Sequence, residues 1–420
     1  MSKKLVFITT RLFWPTDSGR KVSLYYYCKG LHEKYGYEIY LYSFLEHGQD
    51  IGLVNNRPDF IKDIKIAEPI GKYSKVKNLL LKSVIEFSWP LQCSLYYDDR
   101  NKNEISEYVA NVKPDVIIVD MVRLATYYDA FRKFNCLKIL DMDDLLSNRY
   151  ERQINGSNST SIAGQYSSKM SSLENKFLSY DFIKKLVLHL EIKLMKKAEI
   201  NFGNIYDRVV FVSEKECRKI NPFIDNKAAA VPMGVYKDEF IKCTYSPTLD
   251  NEICFVGNMG VAANADTLQM LVEKILPLVK VPYKFKVIGK CPKDLLDQYK
   301  NYENIVFTGR VESIYEHAKN SSLFLAPIAY GSGIKTKILE AMAMQIPVIT
   351  NSIGAEGLDM VSGKHYVVKD DYISIANAVD YYLKNKEEAK KLAVAGQKSV
   401  FETYEWNSIW NRFEHILNIS

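Results

Sequence analysis

Short apolar runs alternate with longer amphipathic stretches along the first half of this chain. Continuous apolar runs of this length are typical of strands buried on both faces of a parallel sheet. They predict strands at residues 4–9, 37–44, 115–119, 137–140, 207–213 and 228–232. Apolar residues at helical spacing predict helices at residues 21–34, 177–198 and 214–219. The order of these elements favours an α/β domain built from βαβ units.

The alternation starts again after residues 237–249, which contain Pro247, lack a period and are typical of an interdomain link. Further strands are predicted at residues 251–256, 284–288, 305–308, 323–327, 347–350 and 365–368. Further helices are predicted at residues 266–278, 292–299, 313–319, 334–344 and 372–384. Since 420 residues exceed one ordinary core, we expect two doubly wound domains.

A glycine-rich turn at residues 331–333 opens one of the second-half helices. Glycines allow a ligand to approach the backbone, and the first amides of a helix favour an anion such as phosphate. Lys335 adds a full positive charge there, and Glu340 offers a carboxylate that can accept hydrogen bonds from sugar hydroxyls. The combination predicts a nucleotide site. A plain strand–turn–helix with a glycine hinge is the alternative, because Gly-x-Gly lacks the Rossmann spacing.

Carboxylates follow two predicted strands of the first domain. Asp120 comes after the first, and Asp141, Asp143 and Asp144 close the second. Ligands of open parallel sheets bind beyond the carboxyl ends of strands, where these residues are placed. Asp-x-Asp can hold a divalent cation that bridges phosphates, or it can cap a helix and anchor a loop. Gly19 lies in the turn of the first βαβ unit, and is either an ordinary turn residue or a point of ligand approach.

The net charge of +6 is too small to indicate nucleic-acid binding, although it suits an anionic ligand or membrane surface. Seven scattered cysteines without a Cys-x-x-Cys pair argue against a disulfide framework and a structural zinc site. No stretch reaches the roughly 18 apolar residues that span a bilayer, and the N-terminus resembles a strand more than a signal peptide. We therefore expect a cytoplasmic protein.

The helix predicted at residues 177–198 is basic. Its lysines lie among Leu and Ile residues, at positions 184, 185, 193, 196 and 197. Basic amphipathic helices can lie on anionic membranes. Solvated lysines are the simpler interpretation, which we favour. The membrane interpretation implies peripheral association with the inner membrane and a lipid-linked acceptor.

Four segments in order and spacing resemble one enzyme family. They are FVGNM (255–259), VFTGRV (306–311), LFLAPIAYGSGIKTKILEAMAMQIPVIT (323–350) and IGAEGL (353–358). Together they resemble the GT-B glycosyltransferases, most closely the retaining enzymes of family 4. The resemblance covers most of the chain and is strongest from Ile253 onward. It implies a GT-B architecture of two doubly wound Rossmann-like domains facing a cleft: residues 1–236 plus 401–420 binding the acceptor, and residues 237–400 binding the nucleotide sugar.

The resemblance also implies roles for individual residues. Glu340 takes the place of the glutamate that holds the nucleotide ribose, and Gly19 that of the glycine near the β-phosphate. Amides of residues 333 and 334 face the donor phosphate or sugar, and Arg310 lies near the base. We add Arg20 and Lys335 as carriers of positive charge for the diphosphate. The expected donor-binding set is Gly19, Arg20, Asn258, Arg310, Ser332, Gly333, Ile334, Lys335 and Glu340.

The sequence departs from the family pattern at three places. Ser332 stands where the family has its first motif glutamate. No basic residue lies between Gly257 and Lys274, where a basic pair is usual. Asp120 replaces a frequent histidine. These changes affect sugar recognition and catalytic detail.

The resemblance implies a retaining glycosyltransferase that moves a hexose-type sugar from a UDP- or GDP-sugar to a glycan or lipid-linked acceptor, in surface polysaccharide synthesis. No cofactor, metal or protein nucleophile is expected, and Asp120 and Asp143 are the candidates for a covalent route. A sugar-nucleotide epimerase is one alternative class. A non-catalytic GT-B relative that binds a sugar nucleotide or a partner transferase is the other.

Overall fold

The computed structural model describes residues 3–16, 19–155, 181–248, 251–331 and 333–417. The chain divides into two compact units, Met1–Pro232 with Trp410–Ser420, and Met233–Ile409. The predicted division at residues 236 and 400 differs by a few positions. Val235 pairs with the segment around Tyr404, because its N–H donates to the Tyr404 carbonyl at 2.8 Å and its carbonyl accepts from Trp406 at 3.2 Å. Both segments therefore belong to the second unit.

The first unit is built on a parallel sheet. Its strands are β1 (Lys3–Thr9), β2 (Tyr37–Ser43), β3 (Ile61–Ile66), β4 (Val116–Asp120), β5 (Leu137–Asp143), β6 (Arg208–Phe211) and β7 (Ala228–Ala230). They lie in the order β3-β2-β1-β4-β5-β6-β7. The central strand β1 is apolar and fully buried from Leu5 to Ile8. Its Val6 pairs with Tyr40 of β2 on one side and with Ile117 of β4 on the other.

Helices connect these strands. They are α1 (Gly19–Glu33), α2 (Lys72–Asn78), α3 (Leu91–Tyr96), α4 (Asp99–Val112), α5 (Tyr128–Phe131), α6 (Leu146–Asn155), α7 (Asp181–Ile205) and α8 (Glu214–Ile220). Shorter helical turns cover Ile51–Asn56, Leu79–Ile85, Val122–Tyr127 and Asn221–Phe223. Side chains fix the helix starts, since Asp98 accepts from the Arg100 N–H at 2.9 Å and Ser213 accepts from the Lys215 N–H at 3.2 Å.

The second unit repeats this plan. Its strands are β8 (Glu252–Val256), β9 (Lys284–Ile288), β10 (Ile305–Phe307), β11 (Leu323–Ala326), β12 (Val348–Thr350) and β13 (Val367–Val368). They form a parallel sheet in the order β10-β9-β8-β11-β12-β13. Phe255, Phe285 and Phe324, on the inner strands β8, β9 and β11, are fully buried in the core.

The helices of this unit are α9 (Lys237–Phe240), α10 (Ala262–Met270), α11 (Lys293–Tyr299), α12 (Ile314–Ala318), α13 (Thr336–Ala343), α14 (Tyr372–Lys384), α15 (Lys386–Thr403) and α16 (Trp406–Trp410). Helical turns at Leu271–Ile275 and Leu276–Leu278 extend α10. The last helix, α17 (Arg412–Ile416), returns to the first unit.

The two sheets confirm the predicted α/β class. In each sheet the chain runs outward from one central strand to one edge and then returns to fill the other edge. The strand order therefore reverses between β1 and β4 in the first unit, and between β8 and β11 in the second. Such switch points are where open α/β sheets bind ligands, beyond the carboxyl ends of the strands.

Two sequence predictions need qualification. Strand β3 was not predicted, because this edge strand alternates Ile with Lys and Asp and is only partly buried. The basic helix predicted at residues 177–198 is α7, which ends seven residues later, and residues 177–180 lie outside the described part. The stretch at residues 155–172 is rich in Ser, Asn and Gly, which predicts a loop, and it falls almost entirely outside the described part. None of the described helices is long and apolar enough to cross a membrane.

Candidate functional site

The glycine turn of the second unit lies between β11 and α13, next to the switch point. Gly331 has φ of 148° and Gly333 has φ of 65°, and both values favour glycine because a side chain would strain the backbone. Helix α13 begins after Lys335, whose side chain has no acceptor and makes no cap hydrogen bond. Ser332 lies outside the described residues. The turn thus leads into a helix N-terminus that the side chain of its N-cap residue, Lys335, does not cap.

Lys335 turns back onto the glycine turn. Its Nζ donates a hydrogen bond to the Gly333 carbonyl at 2.5 Å, and the side chain is half-buried. The ammonium group therefore lies at the start of α13, as the predicted phosphate role requires. Ile334 is also half-buried, and its side chain lies against Gly357, where a Cβ would come within 2.9 Å of Ile334 Cγ1.

Lys337, on the first turn of α13, was not predicted as a site residue. Its Nζ donates to Asn264 Oδ1 at 2.6 Å and lies 4.8 Å from the centroid of the Phe255 ring. A Cβ on Gly257 would lie 3.1 Å from the same Nζ, so the ammonium group is held against the end of β8. The pKa of Lys337 is lowered to about 8, mainly by burial; the charge of Glu340 opposes this shift and the charge of Lys335 adds to it.

Glu340 lies one turn after Lys337 on α13. Burial, and secondarily the charge of Glu239, raises the pKa of this carboxyl, whereas Lys337 lowers it. Since three residues separate Lys337 and Glu340, their side chains leave the helix on neighbouring positions of one face. A cation and a carboxylate acceptor are thus placed along α13, in the order that a diphosphate followed by a ribose needs.

The ends of β8 and β9 meet in very close backbone packing. Gly289 has φ of 128°, and a Cβ there would come within 2.2 Å of the Gly257 carbonyl oxygen. After β8, the Asn258 side chain accepts from the Gly260 N–H at 2.9 Å, and the Asn258 carbonyl accepts from Asn264 Nδ2 at 2.9 Å. Asn264 therefore joins the Asn258 loop to the Lys337 ammonium group.

Arg310 follows β10 and is exposed to solvent. It comes directly after Gly309, whose backbone pairs with Gly289 in an isolated bridge. The structure thus brings Asn258, Lys335 and Glu340 to the carboxyl edge of one sheet. Arg310 lies at the same edge, after β10, which is two strands away from β8. This is the order of strands β10-β9-β8-β11 read along that edge.

The first unit carries a buried ion cluster at its own switch point. Arg20, on the first turn of α1, contacts three carboxylates: Nη2 lies 2.5 Å from Asp120 Oδ1 and 2.9 Å from Asp141 Oδ2, and Nη1 lies 3.2 Å from Asp143 Oδ1. Thr10 completes the cluster, because its N–H and hydroxyl both donate to Asp120 Oδ2, at 2.9 and 2.5 Å. Gly19, the first residue of α1, is exposed beside this cluster.

The three carboxyl groups differ in electrostatics. Burial opposes a charge on Asp120, but Arg20, Arg11 and Thr10 together hold its pKa below the ordinary value. Burial raises the pKa of Asp141 to about 6, against the charge of Arg20 and with that of Asp143. Burial also raises the pKa of Asp143.

These contacts bear on two of the predicted roles. Asp120 is fully buried and both of its oxygens are engaged, so it is poorly placed to touch a substrate. Asp143 keeps 18% of its side chain exposed, which makes it the more accessible of the two catalytic candidates. The Arg20 charge is taken up by three carboxylates rather than left for a diphosphate. Within the described part of the chain, no group of three or more His, Cys, Asp or Glu side chains is arranged to hold a metal ion.

The second unit also matches a known family in sequence. Residues 250–385 match the family described as "Glycosyl transferases group 1", and this segment contains β8, β11, α13 and all the site residues of the second unit. A sequence relative of the chain is an uncharacterized 44.6 kDa protein in the cps region of Klebsiella pneumoniae. It is 23% identical over 239 residues, which are 54% of this chain and 60% of that protein.

Solved structures resemble the whole chain. Sucrose-phosphate synthase from Thermosynechococcus elongatus superposes with a TM-score of 0.65 at 14% identity, covering 99% of this chain and 98% of that one. HepE from Anabaena, in complex with UDP and glucose, superposes with a TM-score of 0.65 at 11% identity, covering 99% of each chain. Together with the two parallel sheets, these matches confirm that the chain has the GT-B fold.

Proposed function

We propose that this chain is a retaining glycosyltransferase of the family 4 type. It moves a hexose-type sugar from a nucleoside-diphosphate sugar to a glycan or lipid-linked acceptor, on the cytoplasmic side of the inner membrane. Surface polysaccharide synthesis is the proposed setting. The relative from the cps region of Klebsiella pneumoniae supports that setting, and the match to the group 1 family supports the reaction class.

One observation carries the proposal. The first turn of α13 holds Lys337 beside the end of β8, at the switch point of a Rossmann-like sheet, and Glu340 follows three residues later on the same helix. A diphosphate at the helix N-terminus meets backbone amides and two lysines, and the adjoining ribose meets a carboxylate. The HepE structures, one with UDP and glucose and one with UDP-glucose, supply a precedent for such a donor in a protein of the same fold.

In this proposal the second unit mainly stabilises the leaving diphosphate. Negative charge grows on its oxygens as the glycosidic bond breaks, and fixed positive groups in a partly desolvated site stabilise that charge without reorganising. Lys335, Lys337 and the amides of α13 supply those groups, so the reaction is expected to need no metal. Glu340 orients the donor through the ribose hydroxyls. Retention then follows a front-face route without a protein nucleophile, and Asp143 is the candidate if a covalent route operates.

The test is calorimetric titration of UDP and GDP into the purified full-length chain. We expect one of the two nucleotides to bind. Replacing Lys337 by Ala removes a charge-assisted hydrogen bond of about 2–3 kcal/mol and should weaken that nucleotide roughly 30- to 100-fold. Lys335→Ala should also weaken it. Lys398→Ala is the matched control, because this lysine lies on α15 with 74% of its side chain exposed and its described ion pair is with Glu402.

Equal affinity of the wild-type chain and Lys337→Ala for the nucleotide would contradict the assignment of the site. Lys337→Arg keeps the charge and should retain most of the affinity, which separates the loss of charge from a disturbance of the fold. Turnover is then measured with the matching UDP- or GDP-sugars over a panel of glycan and lipid-linked acceptors, with and without EDTA. Unchanged turnover in EDTA is the expected result.

A non-catalytic relative that binds a sugar nucleotide or a partner transferase is the second candidate. The observation that favours it is Ser332, which stands where the family has a carboxylate. Tight nucleotide binding without turnover of any sugar nucleotide over the whole acceptor panel would favour this candidate.

A further inference from the structure

Residues 72–87 of the first unit form a helical segment with an unusual distribution of side chains. Helix α2 continues without a break into the wider turns of Leu79–Ile85, where the Glu86 N–H donates to the Leu81 carbonyl at 2.8 Å. Phe87 then takes a φ of 49°, and Pro90 starts α3. We call residues 72–87 the outer helical segment.

The inward side of the outer helical segment is polar. The Ser74 hydroxyl donates to the carboxylate of Asp98. Asn78 Nδ2 donates to the Tyr97 carbonyl at 2.8 Å, and the buried Ser83 hydroxyl lies 2.8 Å from the hydroxyl of Ser94. Hydrogen bonds, with little apolar packing, therefore fasten this segment to α3 and the start of α4.

The outward side is apolar. Seven of the 22 exposed large apolar side chains in the described part of the chain fall in this segment: Tyr73, Val76, Leu80, Leu81, Val84, Ile85 and Phe87. Exposure reaches 81% at Tyr73 and 67% at Ile85. Surface helices of soluble proteins bury their apolar face and expose the polar one, so this arrangement is inverted. A contiguous apolar surface of this kind indicates a binding face.

The same segment is basic. It contains four lysines, at positions 72, 75, 77 and 82, and one acidic residue, Glu86. Lys82 pairs with Glu86 at 2.8 Å, so the excess positive charge lies with the three lysines of α2. Lysines beside exposed apolar side chains fit a surface that offers acyl chains below a layer of phosphate groups.

We propose that the outer helical segment docks onto an anionic phospholipid bilayer, with its apolar side chains inserted among the lipids and its lysines at the phosphates. A second copy of this chain fits the face less well, because a symmetric pair would bring the same lysines together. The membrane interpretation weighed for the sequence placed the contact on α7, where solvated lysines were the favoured interpretation. The exposed apolar side chains are concentrated instead in the outer helical segment. The docking does not depend on the transferase reaction.

The test is co-sedimentation of the full-length chain with vesicles. One set is pure phosphatidylcholine, and the other contains about a third phosphatidylglycerol. We expect binding to the anionic vesicles that weakens as salt rises. Leu80→Ser/Ile85→Ser should weaken that binding by about ten-fold or more, since two inserted side chains are lost. The matched control is Val361→Ser/Ile373→Ser, which removes two exposed apolar side chains from the second unit.

Several results would overturn the docking proposal. One is a wild-type chain that stays in the supernatant with anionic vesicles, and another is unchanged binding by Leu80→Ser/Ile85→Ser. A third is loss of binding in Lys193→Gln/Lys196→Gln, two lysines of α7, without loss in the double serine variant. The last result would come from sedimentation equilibrium. If the wild-type chain is a dimer, the double serine variant is a monomer and neither binds vesicles, the face belongs to a second copy of the chain. Circular dichroism melting confirms that each variant is folded.

Discussion

The two units share one strand order, yet their switch points hold opposite kinds of charged group. In the first unit, Arg20 keeps only 9% of its side chain exposed and lies against three carboxylates. In the second unit, the cation is the half-buried Lys337, whose described hydrogen-bond partner is the neutral amide of Asn264. At the same edge of the same fold, the first unit therefore carries an arginine whose charge is balanced by carboxylates. The second unit carries a lysine whose charge is incompletely balanced.

This difference separates structural charge from charge that is ready for a ligand. A buried ion pair is costly to break, because the remaining group keeps its charge without compensation. A cation whose pKa is lowered toward neutrality gains free energy when an anion binds beside it. We therefore expect substitutions at the first switch point to act on the stability of the fold, and those at the second to act on ligand affinity. Four predictions follow from the largest effect to the smallest.

The largest effect is expected for Arg20→Ala. It leaves Asp120, Asp141 and Asp143 together without their cation, and should lower the free energy of unfolding by about 3–5 kcal/mol. Lys337→Ala removes a half-buried cation and leaves no buried carboxylate cluster without its cation. It should change the free energy of unfolding by less than about 1 kcal/mol. Urea unfolding followed by circular dichroism measures both.

Arg132→Ala is the control for the loss of an arginine, because its pair with Asp129 is exposed on both sides. Adding Asp141→Asn to Arg20→Ala should restore part of the lost stability, since one of the stranded charges is removed. If Arg20→Ala unfolds at the wild-type urea concentration, the first cluster is not structural and the contrast between the two units fails.

The second effect is on turnover. Glu340→Ala should reduce sugar transfer at least 100-fold, since in the proposed donor site the carboxylate accepts hydrogen bonds from the ribose hydroxyls, and charged hydrogen bonds are worth about 1.5–3 kcal/mol each. Stability should change little, because Glu340 is only half-buried. Glu340→Gln keeps the shape and one acceptor, and should be intermediate. Wild-type turnover in the alanine variant would remove Glu340 from the site.

The third effect is a pH dependence of nucleotide binding. Burial lowers the pKa of Lys337 to about 8, so the side chain loses its charge as pH rises through that value. At pH 9 about a tenth of the molecules still carry the charge, so the nucleotide affinity should fall about ten-fold between pH 7 and pH 9. Lys337→Arg should abolish this fall, because arginine stays charged. A fall that persists in the arginine variant would assign the titration to another group.

The contrast between the units also shows what the sequence can predict. Strands β1, β4, β5, β8 and β11 were predicted within a few residues, since each is an apolar run that a parallel sheet buries on both faces. The glycine turn with Lys335 and Glu340 was recognised because all its parts are close in sequence. Such local patterns need no knowledge of the tertiary structure.

The partnership of Lys337 with Asn264 could not be predicted in this way. The two residues are 73 positions apart and meet only because β8 lies beside β11 in the sheet. The sequence showed no basic residue shortly after β8, and a lysine from α13 reaches that place. The Arg20 cluster was missed for the same reason: each carboxylate was visible at a strand end, but not the arginine, about 100 residues away, that neutralises it.

The smallest effect lies within the first cluster itself, where two carboxylates bound to one arginine should respond to pH with opposite signs. The pKa of Asp141 is about 6, above its ordinary 3.8, so the folded state retains a proton between these values. Its contribution to the free energy of unfolding therefore falls as pH rises from about 4 to 6. Asp141→Asn should abolish that fall, so the variant should gain stability relative to the wild type as pH rises from 4 to 8.

Asp120 is the matched opposite. The pKa of Asp120 in the folded state is below the ordinary 3.8. Its ionised form therefore stabilises the fold above pH 3.8, and this stabilisation is lost as pH falls from 3.8 through the folded-state pKa. Asp120→Asn should therefore destabilise the chain at pH 7, in contrast to Asp141→Asn. Urea unfolding of both variants at pH 4, 6 and 8 measures the two slopes. If both substitutions shift stability in the same direction at pH 8, Arg20 does not distinguish the two carboxylates, and the opposite pKa shifts of Asp120 and Asp141 do not govern the stability of the cluster.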